Sequence, residues 1–105
     1  AMYGPGTNLA HAGSIIFNSE CQINYICSAI EYMLNNNHKV IKVKSEIEKQ
    51  YQDKFDERHE RMVWQHANVS SWYQNSKGKV VTTSPWRLVE YWNWTNNFNP
   101  DEYDF

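Results

Sequence analysis

Residues 14–37 read SIIFNSECQINYICSAIEYMLNNN, and the fold turns on this stretch. Ser14 is a good helix N-cap, with Glu20 in the early part of the helix that follows. Apolar residues then recur at Ile16, Ile23, Ile26, Cys27, Ile30, Met33 and Leu34, the spacing of a helix with one wide apolar face. The run Asn35-Asn36-Asn37 ends it, because Asn competes for the backbone and tolerates left-handed geometry.

On the C-terminal side, Val40-Ile41-Lys42-Val43 is short and β-branched, an extended connector or the lead-in to a second helix. That helix is predicted from Ser45 to about Gln65, with Ile47, Tyr51, Phe55 and Met62 on its apolar face. Glu48, Gln52, Asp53 and Glu57 point to water. Residues 66–78 read as a polar loop around Trp72-Tyr73. Lys79 to Thr83 is a strand candidate between Gly78 and Pro85. A last helix is expected after Ser84 as cap and Pro85 in its first turn. The tail from Asn96 is expected to fray. On the N-terminal side, residues 1–13 hold three of the four glycines and Pro5, and read as loop. The fold class is therefore mainly α with a minor β component (α+β): two long helices packed antiparallel, a short strand or hairpin, and a C-terminal helix.

A chain of 105 residues is one small domain at most, and a core of that size is modest. Its mean hydropathy of −0.77 is polar, yet aromatics reach 15%. Large faces with polar tips suit interfaces as well as cores, so the composition fits a segment of something larger. Twelve acidic and ten basic residues leave a formal charge of −2, without the basic face that nucleic acid requires. No apolar run nears the roughly 20 residues of a membrane span, and no secretory leader is visible. Cys21 and Cys27, six apart on one helix, lie on different faces and cannot bridge, which fits a reducing, cytoplasmic setting.

Three familiar chemistries fail on spacing. Val63 stands where a His-Glu-x-x-His zinc motif starting at His59 needs its second histidine. His59 and His66 lack a third ligand, so both are read as surface histidines and no metal site is expected. Gly4-Pro5-Gly6 lacks the third glycine and preceding strand of a dinucleotide fingerprint. What remains is Tyr3-Gly4-Pro5-Gly6-Thr7-Asn8-Leu9-Ala10-His11-Ala12-Gly13-Ser14-Ile15-Ile16-Phe17, a glycine-rich loop entering a helix N-terminus. Such a terminus carries unpaired N–H groups and partial positive charge, and can hold an anion or an electron-rich ring edge. A plain capped helix after a tight turn is the alternative.

This segment resembles the loop and helix that follow the last FAD-domain strand of Baeyer–Villiger monooxygenases, especially those similar to 4-hydroxyacetophenone monooxygenase. The blocks Glu57–Trp64, Ser71–Val80 and Pro85–Trp92 follow in the order of that group's C-terminal region, so the resemblance spans residues 2 to about 95. It implies residues 1–13 as a loop from the end of the FAD domain and 14–105 as a helical region completing the FAD and NADP domains. It also implies the chemistry of the parent: NADPH reduces bound FAD, and reduced flavin activates oxygen to convert ketones to esters or to oxidise soft heteroatoms. Thr7, Asn8, Gly13, Ser14 and Ile15 match the flavin edge, and Trp72 matches a tryptophan that helps hold the nicotinamide cofactor. Trp86, Tyr91 and Trp92 are expected to pack on the rest of the enzyme. Gly6 departs from the Asn usual in the most similar group, which puts any side-chain contact there in doubt.

Both nucleotide-binding fingerprints and the catalytic arginine of the family lie upstream of the region that this sequence matches. The 105 residues alone are therefore expected to bind neither FAD nor NADPH well and to be inactive. Their partners are the upstream FAD and NADP domains of the same polypeptide, and self-association through bare apolar faces is predicted. Two other readings stay open: a dimerising interaction module derived from such an enzyme, and a small-ligand module using Trp86, Trp92 and Trp94 as an aromatic platform.

Overall fold

A computed structural model describes residues 6–7, 13–62, 74–81 and 83–105. Helix α1 spans Ile15–Asn35. Ser14 starts it in extended geometry, its Oγ accepting from the Phe17 N–H at 3.3 Å. At the other end Asn37 turns left-handed at φ 57°. The N–H groups of Asn37 and His38 then close back on the carbonyls of Leu34 (3.2 Å) and Met33 (2.8 Å). Asn37 and His38 thus satisfy carbonyls that the helix end leaves free, as the Asn run predicted.

Which face of α1 is buried differs from what its apolar stripe suggests. Asn18, Cys21 and Gln22 are the buried residues, whereas Ile16 (70% exposed), Ile23 (48%), Ile30 (50%) and Leu34 (75%) face outward. Nor do the two long helices form the expected antiparallel pair. The main helix partner of α1 is α3, Leu88–Thr95, with the Asn24 amide donating to the Thr95 carbonyl at 3.4 Å.

Helix α2 spans Ser45–His59 and buries Phe55 and His59, ending short of Gln65. Arg61 and Met62 close it with bonds to the Arg58 and His59 carbonyls, and residues 63–65 lie outside the described residues. Phe55, His59, Val80, Thr83, Ser84 and Trp86 form the core on this side. The His59 ring lies tilted against Phe55 at 4.4 Å, and its Nε2 meets the Thr83 carbonyl at 2.9 Å. His59 is thus buried rather than the surface histidine expected. Trp86 is buried too, donating from Nε1 to the Tyr51 hydroxyl at 3.0 Å and lying edge-on to Trp94 at 4.7 Å. Because that indole is inserted into the core, residues 84–87 are used as a turn. Ser84 Oγ accepts from the Trp86 N–H at 3.4 Å instead of capping the helix, and α3 starts at Leu88 with Glu90 accepting from the Arg87 N–H at 2.9 Å.

Among the described residues, the strand expected between Gly78 and Pro85 shows an isolated antiparallel bridge, Val80 to Gln74. The sheet instead pairs β1 (Lys42–Val43) antiparallel with β2 (Tyr103–Asp104), in register Lys42 to Asp104 and Val43 to Tyr103. The tail therefore does not fray. Lys44 holds it by N–H to the Glu102 carbonyl (3.0 Å) and by Nζ to the Asp101 carbonyl (2.8 Å). Phe98 packs against Tyr25 and Tyr32, and Phe105 stacks on His38 at 4.5 Å. Aromatic faces every few residues of an otherwise polar tail provide the burial that fixes it.

Candidate functional site

The site begins in the loop before α1. Gly6 is buried at φ +74°, and a Cβ there would come within 2.9 Å of the Phe55 ring. Glycine alone meets both conditions without strain. The next residue, Thr7, is fastened to α1: its carbonyl accepts from the buried Asn18 amide at 3.3 Å. The polar face of α1 is thus used to draw the loop onto the helix.

Gly13 re-enters the described chain at φ 145°, a conformation that side chains resist. Ser14 and Ile15 follow at the surface. Ser14 Oγ serves Phe17 and the Ser14 carbonyl serves Asn18. Among the described residues, the N–H groups of Ile15 and Ile16 donate to no group. No acidic residue stands in this first turn, so the positive end of the helix is not neutralised. In α2, by contrast, Glu46 and Glu48 occupy the first turn.

Beside this helix start is an open shelf of about 520 Å³ formed by Ser14, Phe17, Leu88, Val89 and Trp92. Val89 and Trp92 are exposed on the outer face of α3. Two free N–H donors flanked by an apolar shelf suit an aromatic heterocycle with an electron-rich edge: the ring face desolvates on the shelf while the edge accepts. The donor set therefore fits a flavin.

Of the residues singled out from sequence, Gly13, Ser14 and Ile15 are contiguous at the start of α1, and Thr7 is tied to its first turn through Asn18. Asn8 and Trp72 lie outside the described residues. Lys79 is paired with Asp56 at 3.3 Å. Sequence reasoning missed the part played by Leu88 and Val89; the signal was the spacing of Val89 and Trp92 three apart on one helix face. With Trp86 in the core, the Trp86–Trp92–Trp94 platform does not exist as a surface. Among the described residues no cluster of three His, Cys, Asp or Glu could hold a metal ion, and no helix is long and apolar enough to cross a membrane.

No family model matches the chain, and no solved structure matches it significantly. Curated relatives do. The chain is 38% identical over 102 residues to an uncharacterized monooxygenase of Sinorhizobium fredii, covering 97% of this chain and 15% of that protein. It is 29% identical over 91 residues to a Baeyer–Villiger monooxygenase of Pseudomonas aeruginosa (83% of this chain, 17% of that one). It is 28% identical over 94 residues to an FAD-binding monooxygenase of Aspergillus niger (86% and 15%). The chain's homologues are thus monooxygenases, and it spans about 15% of the length of the curated relatives it matches.

Proposed function

We propose that the chain is a C-terminal part of an FAD- and NADPH-dependent monooxygenase of the Baeyer–Villiger type, in the group similar to 4-hydroxyacetophenone monooxygenase. The observation that carries this reading is the start of α1, with two N–H donors unpaired among the described residues, no acid in the first turn and an apolar shelf alongside. The names of the relatives support the cofactor. FAD, when bound, supplies the redox chemistry that turns a ketone into an ester or oxidises a soft heteroatom.

In this reading the chain's own residues hold and tune. Gly13 admits the turn that presents Ser14 and Ile15, and Ser14 occupies the Phe17 N–H so that the donors left free are those of Ile15 and Ile16. These two stabilise negative charge at the flavin edge. Thr7 and Asn8 belong to the loop that closes on the same edge, and Trp72 is assigned to the nicotinamide side. The outward stripe of α1, together with Val89 and Trp92, packs against upstream FAD and NADP domains of the same polypeptide, and self-association is the alternative cover for the same face. A cytoplasmic setting goes with the free thiols of Cys21 and Cys27.

The test is a chimera of the Sinorhizobium relative in which this chain replaces the matching segment. The expected result is bound FAD and NADPH-driven oxygen uptake. A folded chimera that takes up no FAD, beside a parent that does, would overturn the reading.

A further inference from the structure

A second concavity lies away from the flavin-edge loop and is independent of that reading. It is a cleft of about 610 Å³ between the middle of α1, the first half of α2, the end of α3 and the tail. Tyr25 lies 11 residues beyond Ser14, so the cleft begins about 16 Å along α1 from the helix start. Its lining includes Tyr25, Tyr51, Tyr91 and Trp94 together with Glu48 and Glu102. Tyr103 closes one side, its hydroxyl 2.8 Å from that of Tyr25. Among the described residues of the lining Lys54 is the one cation, and it also borders the neighbouring basic groove with Arg58 and Arg61. Two carboxylates against one ammonium give these residues a formal charge of −1.

We infer that this cleft is a binding site for a small organic cation of the quaternary or methylated ammonium class. Aromatic faces attract such cations through the negative potential of their rings, and a methylated ammonium sheds its weak hydration into an aromatic cage more readily than a primary amine does. Carboxylates at the wall add long-range attraction without requiring an N–H donor from the ligand. Burial raises the phenols of Tyr25, Tyr51 and Tyr91, so the walls keep neutral rings at physiological pH and the charge preference comes from Glu48 and Glu102. Glu48 is exposed and makes no salt bridge among the described residues. Glu102 accepts from the Asn99 amide at 3.3 Å, a neutral donor.

The test is an NMR titration of the 105-residue chain with choline, following the indole N–H of Trp94. A parallel titration uses choline's neutral isostere, in which carbon replaces the quaternary nitrogen. Choline is expected to give a saturable shift, with the isostere and the Glu48→Gln/Glu102→Gln double variant each weaker by about tenfold. Both substitutions keep side-chain size and leave the backbone clasp of the tail in place, so the comparison is made on folded protein. Failure of the shift to saturate, equal affinity for the isostere, or unchanged affinity in the double variant would each overturn the assignment.

Discussion

At the scale of single residues, Gly6 and His59 show what each local environment demands. Gly6→Ala adds a Cβ at positive φ, 2.9 Å from Phe55. The expected loss is about 1–2 kcal/mol from the backbone alone, which corresponds to a fall in Tm of several degrees at this chain length. Thermal unfolding followed by circular dichroism measures it; an unchanged Tm would mean that the Gly6 loop does not rest on Phe55. His59 is pushed below its usual pKa chiefly by burial, against the upward pull of the Thr83 carbonyl and Asp56. Between its folded and unfolded pKa values the unfolded chain binds the extra proton, so stability rises with pH. The contribution of the neutral ring is present in full above the unfolded value of about 6.5 and is lost as pH falls below it. Urea unfolding across this range should show the loss in the wild type and a flatter profile in His59→Gln. Neither feature was legible beforehand, because Gly6 and His59 are defined by Phe55 and Thr83, neighbours far away in sequence.

At the scale of elements, the bounds of α1 followed from Ser14 and the Asn run, whose chemistry is local and therefore readable. Its orientation did not. Periodicity marks a face as apolar but not what covers it. In this chain the buried face is Asn18–Cys21–Gln22, while Ile16, Ile23, Ile30 and Leu34 are exposed. The strand pairing was also illegible, since Val43 meets Tyr103 across sixty residues through a tail whose composition reads as loop. A row of large apolar side chains in water is a strong source of association. Light scattering of the isolated chain should therefore show concentration-dependent oligomers, and Ile23→Glu/Ile30→Glu should return it to monomer while retaining helical circular dichroism. A wild type that stays monomeric at high concentration would show that this face needs no cover.

For the molecule as a whole, α1 and α3 turn apolar side chains outward, Ile16, Ile23, Ile30, Leu34, Val89 and Trp92 among them. The α+β class, the three helices and the likeness to monooxygenases were legible because composition, caps and ordered sequence blocks all act locally or along the chain. The shelf beside Ser14 was not, because it takes Phe17 from α1 and Leu88, Val89 and Trp92 from α3. The central claim is that the free N–H groups at the start of α1 stabilise negative charge on a flavin. Ile15→Pro tests it in the chimera with the Sinorhizobium relative. Proline is tolerated at the first helical position and follows the extended Ser14 without strain, so it deletes one donor and keeps the helix. Ile15→Ala, which keeps the N–H and loses the side chain, is the control. A hydrogen bond to a charged group contributes about 1.5–3 kcal/mol, or about 30–60 mV on a two-electron couple. The flavin midpoint potential is expected to fall by that amount in Ile15→Pro and to hold in Ile15→Ala; equal potentials in the two FAD-loaded variants would contradict the claim.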